Sequence, residues 1–215
     1  MCPHNFYIDD LVLDKMRHGS DYSCEIYEAQ SIEVVLGRSS KIDEDVMVEA
    51  CADEGIPISR RRGGGGTVVL SPGTVILSLV GRSNLQYHLR EHMNAVNLVI
   101  IAALVHLGVD SPVIKGISDI ALGTKKILGS SLYRCKDLVL YQGSLLVNPD
   151  LTLINRYLKQ PRKQPEYRGE RPHEGFVTSL HNEGYDMPLD EIVDALRGAF
   201  DNSSPWPPPV GPLPA

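Results

Sequence analysis

Arg60-Arg61-Arg62 runs directly into Gly63-Gly64-Gly65-Gly66, and the strand-like Thr67-Val68-Val69-Leu70 follows. Guanidinium forks match the oxygens of phosphates and carboxylates. Consecutive glycines let a backbone lie close to a ligand or take positive φ. Together they read as a loop that wraps an elongated anionic small molecule. Taken alone, the run also reads as a basic surface loop or an Arg/Gly nucleic-acid segment, although its flanks are strand-like rather than low-complexity. No Lys-Ser/Thr follows the glycines, so it is not a Walker loop, and it leads into a strand, unlike the dinucleotide-binding fingerprint.

A second candidate lies in Ser118-Asp119-Ile120-Ala121-Leu122-Gly123-Thr124-Lys125-Lys126-Ile127-Leu128-Gly129-Ser130-Ser131. Lys126, between two glycines on strand-like flanks, is held in one direction. A fixed ammonium suits charge that develops on an acyl or phosphoryl oxygen. The plainer reading is a β-turn carrying two lysines. A third motif, His88-Leu89-Arg90-Glu91-His92, matches the H-x-x-E-H pattern of a zinc peptidase group. No third ligand follows it, and a solvated helix face accounts for both histidines better.

The elements that must carry these residues mix strands and helices. Asp9–Met16 reads as a short helix and Ser31–Leu36 as a strand. Asp43–Glu54 reads as one helix, capped by Asp43 and stopped at Gly55 and Pro57. Thr67–Leu70 and Thr74–Val80 flank Ser71-Pro72-Gly73 and read as a hairpin entered from the Arg/Gly loop. Asn84–Leu107 is the longest helix candidate, with Leu89, Met93, Val96, Ile100, Ala103, Leu104 and Leu107 on one stripe before Gly108. Ile117–Leu122 and Ile127–Ser131 are strand-like, and Leu138–Tyr141 with Ser144–Val147 reads as a hairpin across Gln142-Gly143. Leu151–Leu158 and Leu189–Phe200 are helical, and Lys159–Glu174 reads as a mobile loop. Strands neighbour one another in groups, which excludes a regular βαβ alternation and predicts an α+β domain with a mixed, mainly antiparallel sheet flanked by helices. One domain over residues 1–200 is expected, then a disordered tail over 201–215 with six prolines.

Composition bounds the function. The 215 residues suffice for one domain with a real core, and 42% hydrophobic with 22% charged residues is ordinary for a globular protein. A formal net charge of −6 argues against a general nucleic-acid binder. No apolar run of about 18 residues predicts a membrane span, and the N-terminus lacks the basic-then-apolar pattern of a signal peptide. Cys2, Cys24, Cys51 and Cys135 form no C-x-x-C pair and read as reduced thiols of a cytoplasmic protein.

The two candidate segments together resemble the lipoate–protein ligase A family. Arg60-Arg61-x-x-Gly64-Gly65-Gly66-Thr67-Val68 is similar to its R-R-x-x-G-G-G-x-V signature, and Asp119-Ile120 with Gly123-x-x-Lys126-Ile127-x-Gly129-Ser130 is similar to its D-[LI] and G-x-K-[IV]-x-G-S segment. Val34-Val35-Leu36-Gly37-Arg38 and Gly143-Ser144-Leu145-Leu146 fit further pieces in order. The resemblance implies the biotin/lipoate ligase catalytic-domain fold, related to class II aminoacyl-tRNA synthetases. It implies ATP-dependent attachment of lipoate or octanoate to a lysine of a lipoyl carrier domain, through an acyl adenylate and with Mg2+. It also implies roles. Lys126 would hold the acyl carbonyl oxygen and the α-phosphate, and Arg61 would contact a phosphate. Gly64, Gly65 and Gly66 would lie against the acyl chain. Asp119 would support the nucleotide or a magnesium ion, and Gly129, Ser130 and Gly143 would line the adenylate site. An apolar tunnel would run beside Val68 and Ile127. Leu70-Ser71 stands where the family carries His-Asp, Gln142 where it carries His, and Ser118 where it carries Asn. With no accessory domain after Phe200, a separate accessory subunit is expected. An ATP-independent octanoyl or lipoyl transferase and a non-catalytic acyl- or carrier-binding homologue are the alternatives. The transferases of this superfamily place a cysteine about a dozen residues before the lysine, and 110–125 contains none.

Overall fold

The computed structural model describes residues 4–18, 20–83 and 89–201. The chain opens with β1 (His4–Asn5), α1 (Tyr7–Arg17), β2 (Tyr22–Glu28) and β3 (Glu33–Leu36). It continues through α2 (Ile42–Asp45), α3 (Val48–Asp53), β4 (Ile58–Arg60), β5 (Val68–Leu70) and β6 (Thr74–Arg82). After α4 (Leu89–His106) comes the ladder of β7 (Val113–Lys115), β8 (Asp119–Leu122), β9 (Lys125–Cys135) and β10 (Leu138–Leu146). It closes with α5 (Thr152–Tyr157), α6 (His173–Phe176) and α7 (Leu189–Ala199). Six strands form an antiparallel sheet in the order β2-β6-β10-β9-β8-β7. Four form a smaller sheet, β1-β4-β3-β5, in which β4 runs parallel to both neighbours and β5 antiparallel to β3. The expected α+β, mainly antiparallel architecture is therefore present, divided between two sheets.

Side-chain alternation along the large sheet decides what each face can do. On one face Leu77, Leu79, Leu128, Tyr141 and Leu145 pack under α4 and α7. The predicted stripe of α4 supplies Met93, Val96, Ile100, Ala103 and Leu104 to this core. On the other face Val80 and Leu140 meet Val12, Leu13 and Met16 of α1. Farther along that face the strands carry Ser78, Gln142, Ser131 and Gly129. The small sheet buries Val34, Leu36 and Ile58 against Cys51 and Tyr157, and its Val35 and Leu70 meet Ile76 of the large sheet. The Arg/Gly loop joins β4 to β5, so it leaves the small sheet beside the polar part of the large one.

Several local expectations give way to long-range pairing. β5 and β6 are not a hairpin: β5 pairs with β3, while β6 pairs with β2 and β10 in the other sheet. A nine-residue strand buried from Thr74 to Gly81 needs hydrogen-bonding partners along both edges, which three-residue β5 cannot supply. Gln142-Gly143 is not a turn but the middle of β10, and the hairpin turn lies at Lys136-Asp137 instead. The helix expected over Asp43–Glu54 breaks at Val46-Met47, where Met47 N–H donates to Tyr157 C=O at 2.8 Å and Val46 bridges Leu158. Lys41, not Asp43, precedes its first turn. His92 is buried and hydrogen-bonded to Ser83 Oγ at 2.9 Å, not solvated, and His88 lies outside the described residues. Lys159–Glu174 is an ordered strap with a 3-10 turn at Glu166–Arg168, not a free loop. Of the proline-rich tail, 202–215 lies outside the described residues. Among the described residues no helix is long and apolar enough to cross a membrane.

Candidate active site

Lys126 owes its direction to one irregularity in β9. Asp119 pairs with Gly129 and Ile120 with Leu128, but Ala121 pairs with Lys126, leaving Ile127 as an extra residue. Regular alternation would put Lys126 and Gly129, three apart, on opposite faces. The bulge restores Lys126 to the face of Gly129, as bulges re-aim side chains elsewhere. Its side chain then runs forward along the strand toward Gly129. A Cβ on Gly129 would stand 2.5 Å from Lys126 Nζ and 2.7 Å from Cε, so glycine is what leaves room for the ammonium. Nζ donates to Asp119 Oδ1 at 2.8 Å, with the lysine side chain 25% exposed and the aspartate side chain 8%. Tyr167, from the strap, donates its hydroxyl to Asp119 Oδ2 at 2.8 Å.

The glycine loop lies down on the same face. Arg61 is buried, and its guanidinium donates to the carbonyls of Gly64 and Gly66 at 2.7 Å each and of Val35 at 3.3 Å. Burial pushes its pKa down to about 10, which keeps it charged at neutral pH. Arg60 donates to the carbonyls of Gly37 and Ser40 at 2.8 Å and of Arg38 at 3.2 Å. Gly65 takes φ +86°, and its carbonyl lies where a Gly37 Cβ would be. A Cβ on Gly63 would come within 2.5 Å of Ser131 Oγ, so the loop seats on β9 at Ser131. Ser131 is two residues from Gly129, so the seat of the loop and the perch of the ammonium are about 7 Å apart along one strand. Gly64 and Gly66 have open space around them.

A buried carboxylate anchors the loop from below. Asp9 accepts Arg62 N–H on Oδ2 and Gln142 Nε2–H on Oδ1, both at 2.5 Å. Burial raises its pKa above the ordinary carboxylate value; the Arg62 amide, Gln142 and the charges of Arg62 and Arg61 oppose that rise. Arg62 also donates to Asp10 at 2.7 Å. Gln142, at the position where the sequence departs from a histidine pattern, is thus a structural partner of the loop.

The structure gathers Lys126, Asp119 and Gly129 on one face, with Gly64, Gly65 and Gly66 in the loop that seats on it. Arg61 places its guanidinium on the carbonyls of the loop and of Val35. Ser130 and Gly143 belong to the opposite face. Ser130 Oγ donates to Ser118 C=O at 2.7 Å, and Gly143 makes room for the ring of Tyr141, whose hydroxyl donates to Asn97. Val68 and Ile127 line no common tunnel, since Ile127 is in the α4–α7 core and Val68 packs between the sheets. Asp9 and Tyr167 escape a reading of the sequence because they reach Gln142 and Asp119 across 133 and 48 residues, with no local motif. Cys135 is exposed at the far end of β9, and Cys51 is buried in the small sheet's core. Cys24 is on β2, its thiol pushed up to about 11 by burial. Among the described residues no three His, Cys, Asp or Glu side chains come together as a metal cage.

The model of the lipoyl protein ligase A/B catalytic domain matches residues 2–201. The chain is similar to lipoate-protein ligase A of Psychrobacter cryohalolentis, 27% identical over 78% of this chain and 48% of that protein, so it spans about half the length of that relative. Its fold is similar to that of a bi-partite lipoate protein ligase from Thermoplasma acidophilum, studied with its E2 lipoyl domain, at TM-score 0.75 and 23% identity over 93% of this chain and 79% of that one. It is equally similar to a lipoate-protein ligase A bound with ATP, at TM-score 0.75 and 24% identity over 89% and 76% of the two chains. The two-sheet scaffold, the arginine-clamped glycine loop and the bulge-directed lysine are thus features of a chain that belongs to the lipoyl protein ligase A/B catalytic-domain family.

Proposed function

We propose that this chain is the catalytic part of a lipoate–protein ligase. It joins lipoate, or octanoate, to ATP as an acyl adenylate with release of pyrophosphate. A lysine of a lipoyl carrier domain then attacks the acyl carbon, and AMP leaves. The observation that carries the reading is Lys126 Nζ, held by Asp119 on the face where the glycine loop seats. The ammonium meets the acyl carbonyl oxygen and the neighbouring α-phosphate oxygen, where negative charge grows during both steps. Gly64 and Gly66, open on the loop, let its backbone lie along the acyl chain. The chain's length of about 8 carbons supplies several kcal/mol of burial at about 0.8 per methylene. Magnesium belongs to the triphosphate in this reading, because both oxygens of Asp119 already have protein partners. The bi-partite relative supports an accessory subunit for the activation step.

The ATP-independent transferase reading is weaker here. Its thioester needs a cysteine, and Cys135 stands nine residues along β9 from Lys126, about 30 Å at strand spacing. The test is an intact-mass assay with a lipoyl carrier domain and lipoate or octanoate, with and without ATP-Mg, beside Lys126→Ala. Mass gain that needs both ATP and Lys126 upholds the ligase. Gain only from an acyl-carrier donor replaces it with the transferase.

A further inference from the structure

We propose that Tyr167 is a positioning residue for Lys126, its hydroxyl occupying the second oxygen of Asp119 and thereby setting how firmly that carboxylate holds the lysine ammonium. Asp119 is buried, with Oδ1 on Lys126 Nζ and Oδ2 on Tyr167 Oη, each at 2.8 Å. Ser118 Oγ adds a long contact of 3.4 Å to Oδ1. A carboxylate that already accepts a strong hydrogen bond has less charge to give a second partner. To reach an acyl oxygen the ammonium must lean away from Asp119. With Oδ2 satisfied by Tyr167, that displacement costs less than it would from a carboxylate with one oxygen bare.

The strap that delivers Tyr167 is built onto the lysine strand. Arg171 donates to Thr124 C=O at 3.0 Å, Tyr167 C=O at 2.8 Å and Gly175 C=O at 3.1 Å, fastening the strap to the β8–β9 turn. The Tyr167 ring packs against Phe176 at 5.1 Å between centroids. Just beyond, Val177 bridges Lys126, and Thr178 N–H donates to Lys126 C=O at 2.9 Å. The strap and the segment that follows it therefore hold Lys126 twice, by its backbone through Thr178 and by its ammonium through Tyr167 and Asp119. The charged groups around the phenol are Asp119, Arg171 and Arg168.

The catalytic consequence rests on the ligase reading, while the effect on the lysine does not. Tyr167→Phe keeps the ring and removes only the hydroxyl. In the full chain, Lys126 is labelled with a limiting activated acetyl ester and read by peptide mass against Lys125 in the same molecule. The substitution is expected to slow Lys126 labelling about threefold, because the bare carboxylate holds the ammonium more tightly. In an Asp119→Asn background the same substitution is expected to change nothing, an outcome that a loss of ring packing would not produce. Unchanged Lys126 labelling, or an equal effect in the Asp119→Asn background, overturns the proposal. In the ATP-dependent assay kcat falls about fivefold with KM for ATP and lipoate unaltered, as expected when only transition-state contacts weaken. A wild type that acylates the carrier domain only from an acyl-carrier donor, without ATP, overturns the ligase reading, and the labelling still decides the role of Tyr167.

Discussion

Lys126 and Gly129 are three residues apart on one strand and yet share a face, the ammonium of the first lying 2.5 Å from where a Cβ of the second would be. The bulge at Ile127 brings them together, and the missing side chain of Gly129 is the space the ammonium uses. Gly129→Ala is therefore expected to separate stability from activity. The atoms met are the end of a flexible side chain, so the fold yields easily and the melting temperature stays near that of the parent. The displaced ammonium misses its target, and acyl transfer falls about 100-fold, a loss that misplacing a reacting group by about 1 Å can produce. Parallel calorimetry and carrier-acylation rates check this, and a variant with parental turnover defeats it.

Arg61 holds its loop by geometry that lysine cannot copy. Three carbonyls, those of Val35, Gly64 and Gly66, converge on one guanidinium. An ammonium at the end of a lysine chain reaches them with a single point charge rather than a planar fork. Arg61→Lys is expected to lose about 2 kcal/mol in urea unfolding through carbonyls left unpaired. Amide exchange at Gly64–Gly66 should quicken at the same time. Stability equal to the parent would show that the clamp contributes nothing.

The glycines of the loop are not equivalent. Gly63 sits against Ser131 and has no room for a methyl group, whereas Gly64 has nothing within 4 Å. Gly63→Ala should lift the loop and destabilise the protein by about 1–3 kcal/mol, the range for overpacking. Gly64→Ala should leave unfolding unchanged and act only on acyl-substrate affinity. Denaturation midpoints of the two variants, taken side by side, decide the point, and similar midpoints would contradict it.

Asp9 ties stability to pH. Its folded pKa is raised, with burial the largest cause, so the native state takes up a proton more readily than the unfolded chain. The contribution from this group is fully present below the ordinary carboxylate value and is lost as pH rises through the higher native one. Arg61, Arg62 and Gln142 face it and limit the rise. Asp9→Asn removes the titration. Gln142 Oε1, buried without a partner, can then accept from the new amide after a flip of the Gln142 side chain. The stability of the parent relative to Asp9→Asn should grow as pH is lowered below neutrality. A pH-independent difference in urea midpoints would contradict this.

Much of the molecule was determined by local sequence. The stripe from Met93 to Leu104 made α4 and chose its buried face, because helical periodicity is a property of neighbours along the chain. The arginine–glycine run and the lysine between glycines marked the loop and the strand that meet in the site. Tertiary structure decided the rest. It assigned β5 and β6 to different sheets, ran β10 straight through Gln142-Gly143, turned Arg61 inward and ordered the strap that brings Tyr167 to Asp119. It also chose the face of Lys126, since one extra residue in β9 reverses side-chain parity. The physical reason is common to all of these. Strand partners, register and hydrogen-bond acceptors are supplied by segments far away in the chain, and no short window of residues contains them.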